Sequence, residues 1–294
     1  MKIFAKQSVR FYVHVVTISA LLVMGSHMIP TQQTFAKDTD ESTYDRVLRT
    51  NTIRCGYSSW APLFSVDAKT GAKSGIFYDL MEEAAKRLEL KIEWTEEIGW
   101  GSVVESVKTG RVDMACAGYW PNPARIKNLQ TTVPQIYAPM YVYVRESEAR
   151  SFAAPEVLNN AQYAVTTIDG SAETHIVAKR FAASQNVKLP ELSTSADAIQ
   201  NLLTNKSDFL VLDAGTANEY IDANPGKIKQ LFPDKPMVIF PTAMLVPAKD
   251  MAFKGMLDNI LLDIEHDGTL DAILKKYDSK GIFLRNQPPE APKA

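Results

Sequence analysis

The sequence predicts an α/β protein of two βαβ lobes, joined by two crossover strands and enclosing a ligand cleft. Three observations lead to this fold class. Short apolar runs alternate with helical patterns, the alternation starts again near the middle of the chain, and two extended β-rich runs separate the parts. Strand–helix alternation of this kind is typical of parallel βαβ units. A chain that crosses twice between lobes leaves a cleft between them, and clefts at domain interfaces are where small ligands bind.

The first lobe begins with a buried strand, TIRCGY at 52–57. A helix is predicted over 78–90 because its apolar residues recur at helical spacing. The alternating run KIEWTEE predicts a strand at 91–97. It is followed by a helix over 102–110, which Gly110 closes, and by the apolar strand VDMACA at 112–117.

The second lobe repeats this order. A strand over 162–170 leads into a helix over 171–184, and a helix with a Ser/Thr cap over 193–207 precedes the strand DFLVLD at 208–213. The segments KTGRVDMACAG and LTNKSDFLVLD echo one another, each with a helix end, a turn, an Asp and an apolar strand.

The two crossover strands are predicted at 137–145 and 237–247, and two C-terminal helices follow, separated by Gly268. Lobe 1 is therefore expected to comprise residues 44–143 together with 244–285, and lobe 2 to comprise residues 144–243. The polar segment 37–43 is expected to be a flexible leader and the Pro-rich tail 286–294 to be disordered.

The first 36 residues have the layout of a secretory signal peptide: a basic start, the apolar run FYVHVVTISALLVM and a small-residue cleavage site at Thr34–Ala36. We therefore expect an exported, periplasmic protein. Cleavage would remove three basic and no acidic residues, so the formal net charge would change from −2 to −5. A mildly acidic protein without a basic block is a poor partner for nucleic acid or anionic membrane.

The chain has two cysteines, Cys55 and Cys116, and neither His175 nor His266 has a partner at metal-ligand spacing. No metal site and no cofactor are expected. The predicted fold would place the cysteines on neighbouring parallel strands of lobe 1. Such strands rarely offer good disulfide geometry, so two buried thiols are expected, with a disulfide as the alternative.

Taken in order, the motifs resemble the periplasmic solute-binding proteins of family 3, which serve amino-acid-type ABC importers. The resemblance covers nearly the whole chain after residue 36. The segments that carry it are IRCGY, WAPLF, GIFYDLMEEAAKRL, TGRVDMACAG with YWPNPARIKN, PQIY, DGSAE, DFLVLDAGTA and EHDGTLDAILKKY. It implies a periplasmic-binding-protein fold, a monomer, a small-molecule ligand and an inner-membrane ABC permease as partner.

The resemblance assigns roles to the polar residues of the cleft. Arg125 matches the arginine that grips the ligand carboxylate, a task that suits the planar guanidinium fork. Gly170 and Ser171, at a helix start, would support the same carboxylate. Asp213 matches the acid that receives the α-ammonium, although an Asp at this place could instead cap the next helix.

Trp60 and Trp100 fall where the family places aromatic residues that contact the ligand, and Gly118 and Trp120 belong to the loop that leads to the arginine. The chain departs from the family at Trp120 and Asn122, where a Ser or Thr hydroxyl is common. The pocket is therefore either arranged differently or suited to an unusual solute.

Three functions follow from the resemblance. The first is binding of a small polar solute, most often an amino acid, and its delivery to an ABC importer by closure of the lobes. The second is a dehydratase acting on prephenate- or arogenate-like acids, for which Glu173 stands at the position of the acid catalyst. The third is a periplasmic partner of a quinoprotein dehydrogenase.

Overall fold

The computed structural model describes residues 41–285. The predicted signal peptide, residues 37–40 of the leader and the tail 286–294 lie outside the described residues. Within the described part, no helix is both long and apolar enough to cross a membrane.

The described chain alternates between short strands and helices. The strands are β1 Thr52–Tyr57, β2 Ser65–Val66, β3 Lys73–Ser74, β4 Lys91–Glu97, β5 Met114–Tyr119, β6 Leu129–Thr131, β7 Ile136–Arg145, β8 Ala164–Ile168, β9 Gln185–Leu189, β10 Leu210–Asp213, β11 Ile228–Leu231 and β12 Val238–Pro247. The α-helices are α1 Thr43–Thr50, α2 Ile76–Arg87, α3 Val103–Lys108, α4 Pro123–Ile126, α5 Ala172–Arg180, α6 Ser195–Leu203, α7 Ala214–Ala223, α8 Met251–His266 and α9 Thr269–Tyr277.

Helix α1 begins inside the segment that the sequence predicts as leader. The hydroxyl of Ser42 accepts a hydrogen bond from the Asp45 amide and so caps the helix. Val47 is fully buried, and Arg46 reaches the buried carboxylate of Asp113 in an ion pair. These contacts hold α1 against the body of the protein, and the helix begins one residue before the predicted start of lobe 1.

One eight-stranded sheet runs through the molecule in the order β10-β7-β12-β5-β1-β4, with β11 added to β7 and β6 added to β12. Strand β1 pairs in parallel with β4 and β5, while β7 and β12 run antiparallel to their neighbours. Strands β8 and β9 form a separate parallel pair. The predicted α/β fold class is confirmed, whereas the exact lobe boundaries remain a prediction.

The long strands β7 and β12 are the two predicted crossover strands. They pair with each other from Ile136 and Thr242 to Met140 and Val238. Strand β10 pairs with one edge of β7, β11 continues along the edge that β12 occupies, and β12 pairs with β5 on its far side. The two halves of the sheet therefore share a continuous backbone connection at its centre.

Cys55 and Cys116 form a disulfide with a Cα–Cα distance of 5.5 Å, so the expectation of two free thiols is wrong. In the parallel register Cys55 lies beside Met114, which places Cys116 two residues further along β5. Residues two apart on a strand point to the same face. The diagonal neighbour, and not the directly paired residue, thus brings the two sulfur atoms together.

Candidate ligand-binding site

Loops that follow the strands meet at one side of the sheet and surround a small cavity. Of the eight residues predicted from the sequence, Trp60, Trp100, Trp120, Arg125 and Ser171 line it. The free space is about 30 Å³, which is the share of liquid volume of one water molecule. This cavity by itself therefore has no room for a larger molecule. The remaining lining residues are Ser59, Ile168, Ala172, Glu173, Ser193, Ser195 and Phe240.

Arg125 is fixed at this cavity by helix α4. The side chain of Asn122 caps the helix by accepting a hydrogen bond from the Arg125 amide at 3.0 Å, and Pro123 begins the helix. Only 3% of Arg125 is exposed. The Asn122 position, which departs from the family pattern, therefore has a structural role in orienting the arginine.

The guanidinium of Arg125 donates to three main-chain carbonyls. Nη1 bonds Trp120 O at 2.9 Å, and Nη2 bonds Trp100 O at 3.1 Å and Gly170 O at 3.3 Å. It makes no ion pair among residues 41–285. Burial lowers the pKa of Arg125 to about 10, so the group stays cationic at neutral pH. A buried cation without a carboxylate partner is suited to an anionic ligand group.

The start of helix α5 lies next to the arginine. Gly170 takes a positive φ of 74°, and Ser171 is the N-cap residue. The Ser171 side chain is buried and lines the cavity, and its hydroxyl has no hydrogen-bond partner among the described residues. An unpaired hydroxyl at the positive end of a helix is a second feature that favours an anion.

Glu173, in the first turn of α5, brings a negative charge to the same cavity. Burial raises the pKa of its carboxyl, the neighbouring Ser171 side chain opposes this shift, and the charges of Asp213 and Arg125 have smaller, opposite effects. The cavity therefore contains both a cationic and an acidic side chain.

Asp213 ends β10 and caps α7, as the alternative reading of the sequence allows. Its Oδ1 accepts from the Thr216 amide at 2.8 Å, and its Oδ2 accepts from the indole Nε1 of Trp60 at 2.9 Å. The residue is 1% exposed and does not line the cavity, because Trp60 and Thr216 cover it. Burial raises the pKa of Asp213, and these hydrogen bonds lower it again in part.

Four aromatic rings make up most of the apolar wall; we call Trp60, Trp100, Trp120 and Phe240 the aromatic cluster. Ring centroids are 5.9 Å apart for Trp60–Trp100, 6.2 Å for Trp60–Phe240 and 5.5 Å for Trp120–Phe240. The sequence reasoning missed Phe240. Its only signal was its place on the second predicted crossover strand.

Gly118 and Gly170 do not line the cavity, but both allow close approach. A Cβ on Gly118 would overlap Cγ2 of Thr242 and lie 2.6 Å from Cε2 of Phe77. A Cβ on Gly170 would lie 2.6 Å from the Cα of Gly101 and 2.8 Å from the carbonyl carbon of Trp100. At Gly170, the loop after β8 thus touches the loop after β4.

Two further contacts join the same sides of the cleft. The Gly101 amide donates to Oε2 of Glu191 at 3.0 Å. The side-chain amide of Asn122 lies 3.1 Å from Nε2 of His175. Because the Asn122 oxygen already accepts from the Arg125 amide, its nitrogen faces the imidazole, and Nε2 accepts the hydrogen bond.

A comparison with protein families matches the model of bacterial extracellular solute-binding proteins, family 3, over residues 53–280. The chain belongs to this family. The match spans most of the described residues and includes every predicted site residue.

Individual relatives are distant but extend over most of the chain. The amino-acid-binding protein AabA of Dichelobacter nodosus is 22% identical and aligns over 75% of this chain and 85% of its own length. Cyclohexadienyl dehydratase of Pseudomonas aeruginosa is 24% identical over 78% and 84%, respectively. The crystal structure of the ancestral amino acid-binding protein AncCDT-1, a precursor of cyclohexadienyl dehydratase, has a TM-score of 0.72 and 22% identity, covering 81% of this chain and 99% of that chain.

The described residues 41–285 contain no group of three or more His, Cys, Asp or Glu side chains that could hold a metal ion.

Proposed function

We propose that this protein is exported to the periplasm, binds a small zwitterionic carboxylate of the amino-acid class, and delivers it to an ABC importer. The observation that carries the proposal is the pairing of Arg125, a buried cation without an acidic partner, with the unpaired hydroxyl of Ser171 at the start of α5. Both groups face one cavity.

In this proposal the ligand carboxylate displaces the carbonyl partners of Arg125. The guanidinium now donates to three neutral carbonyls, and a charged acceptor gives stronger hydrogen bonds than a neutral one. Ser171 and the free amides at the start of α5 would complete the carboxylate shell. The acidic side chains Glu173 and Asp213 provide the field for the positive end of the zwitterion.

Binding requires the cleft to open first, because the free space of about 30 Å³ is too small for an amino acid. The loops that meet across the cavity would separate and then close over the ligand, with β7 and β12 as the hinge. Hinge closure around a ligand is a known mode of domain motion. A permease would then recognise the closed form.

Isothermal titration calorimetry on Arg125→Ala tests the proposal. Loss of the charged hydrogen bonds should weaken binding of carboxylate ligands roughly 100-fold, since such a bond is worth about 1.5–3 kcal/mol. Arg111→Ala is the matched control, because Arg111 pairs with Glu96 at the surface. Arg125→Lys retains the charge without the planar fork and serves if the alanine variant does not fold. Equal affinity of Arg125→Ala and wild type would contradict the proposal.

Glu173 favours a dehydratase as second candidate. Its carboxyl faces the cavity and has a raised pKa, which a general acid at neutral pH requires. Incubation with prephenate or arogenate should then yield phenylpyruvate or phenylalanine, and Glu173→Gln should abolish the product. Absence of product from the wild-type protein would exclude the dehydratase, and ligand binding would remain as the proposed function.

A further inference from the structure

We propose that the ligand of this cavity is a betaine-type zwitterion, a carboxylate whose positive end is a quaternary N-methylated ammonium. The proposal rests on the proposed function and names its substrate class. It is carried by the combination of a covered aspartate, an aromatic wall and two buried acids near Arg125, the residue assigned to the ligand carboxylate.

The first step concerns what a primary ammonium would need. An –NH₃⁺ group has three N–H donors and must find acceptors when it leaves water. Asp213 is the acid predicted for this task, yet it does not line the cavity. Its two oxygens already accept from Trp60 Nε1 and from the Thr216 amide. A primary ammonium would have to displace the indole of Trp60 to reach it.

Trp60 is itself held firmly in that place. Its Nε1 lies 2.9 Å from Asp213 Oδ2 and 3.0 Å from Thr216 Oγ1, and the Thr216 hydroxyl donates to Ala61 O at 2.9 Å. Asp213, Trp60 and Thr216 thus form a closed hydrogen-bonded group in which Trp60, and not the Asp213 carboxylate, lines the cavity.

The second step concerns the wall that replaces the acceptors. Three of the four tryptophans of the chain belong to the aromatic cluster, together with Phe240. A cation over the face of an aromatic ring is attracted by the ring quadrupole, most strongly by Trp. A quaternary ammonium has no N–H group and therefore requires no hydrogen-bond acceptor. Trp120 contributes ring surface to this wall.

The third step excludes an uncharged apolar group at the same place. Such a group would cover the rings equally well. Once the ligand carboxylate pairs with Arg125, such a group would leave the buried acids Asp213 and Glu173 with no other cation at the site. A quaternary ammonium can contact the aromatic rings without a hydrogen-bond acceptor, and its positive charge interacts with the two acids at longer range.

Calorimetry with matched ligands tests the substrate class. The probes are glycine, alanine and proline, each beside its fully N-methylated analogue, and choline as a quaternary ammonium without carboxylate. We expect each methylated zwitterion to bind at least 10-fold more tightly than its parent, and choline to bind more weakly than trimethylglycine. Tighter binding of the parent amino acids would overturn the inference and leave the proposed function standing. Binding of neither series would refute both.

A second measurement isolates the rings without changing the shape of the site. Tryptophan is replaced throughout the protein by its mono-, di- and trifluorinated forms, which reduces the negative potential of the ring face. Affinity for trimethylglycine should fall stepwise with fluorine number, by roughly 2- to 30-fold in total. Trp94 lies outside the cavity, so the variant Trp94→Phe serves as a control and should show the same dependence of affinity on fluorine number as wild type. An affinity independent of fluorine number would overturn the role of the aromatic cluster.

Discussion

Gly170 offers a direct test of whether closure of the cleft is required for binding. A methyl group at this position would meet three backbone atoms of the opposite loop: it would lie nearest to Gly101 N, 2.6 Å from Gly101 Cα and 2.8 Å from the Trp100 carbonyl carbon. Carbon atoms pack at about 3.5–4.0 Å, so the loops would have to separate by about 1 Å. Neither neighbour is a flexible side chain that could move aside.

The cost follows from the bonds that this separation breaks. Arg125 Nη2 donates to Gly170 O at 3.3 Å, and the Gly101 amide donates to Glu191 at 3.0 Å. A hydrogen bond with a charged partner contributes about 1.5–3 kcal/mol, and the exposed Glu191 bond contributes less. A total of about 2–4 kcal/mol against closure corresponds to a roughly 30- to 1000-fold weaker Kd.

Gly226 provides the matched control. Its φ is +74°, the same as that of Gly170, and a Cβ there would meet no atom within 4 Å. Both Gly→Ala variants should lose about 1–2 kcal/mol of stability to left-handed strain, measured by urea unfolding. Only Gly170→Ala should also bind the ligand more weakly in calorimetry. In X-ray scattering with ligand present, its radius of gyration should stay larger than that of wild type. Equal affinities of the two variants would refute the reasoning.

Three further predictions concern stability and pH. Replacing both Cys55 and Cys116 by Ala should lower the free energy of unfolding by about 4 kcal/mol, because the disulfide closes a loop of sequence separation 61; a loss below about 1 kcal/mol in urea unfolding would contradict this. Burial raises the pKa of Asp213, so ionisation of this carboxyl destabilises the unliganded fold as the pH rises above about 3.8. The melting temperature of Asp213→Asn should therefore increase relative to that of wild type between pH 4 and 8, and a constant difference between the two melting temperatures would disprove it. Burial and the charge of Arg125 lower the pKa of His175, so its contact with Asn122 should be present above pH 6.5 and lost as the pH falls through that lowered pKa. Ligand affinity measured by calorimetry should therefore fall on acidification below pH 6.5 in wild type but not in His175→Gln, and equal pH profiles would contradict this.

Sequence patterns were sufficient for the elements that carry strong periodicity. Helix α2, strand β5, both crossover strands and the two C-terminal helices lie within a few residues of their predicted positions. Five of the eight predicted site residues meet in one cavity, because parallel strands bring their following loops to the same edge of the sheet. This part of the architecture follows from the order of strands and helices alone.

Features that depend on side-chain contacts between distant segments escaped prediction. The disulfide arises from a diagonal neighbour relation between β1 and β5, which the spacing of the cysteines does not reveal. Strand β9 is largely exposed and polar, so it has no apolar signal. The indole of Trp60 over Asp213 joins positions 153 residues apart, and the place of Phe240 depends on how β12 crosses the sheet.

The position of β12 also determines the order in which the sheet can be completed. This strand lies between β5 and β7 at the centre of the sheet, although it comes last of all the strands in sequence. A chain synthesised from its N-terminus exposes the edges of β5 and β7 until residues 238–247 have emerged. Unpaired edges of buried strands invite pairing with other chains. Premature termination just before residue 238 should therefore produce an aggregating fragment, whereas loss of a few C-terminal residues leaves the central strand in place.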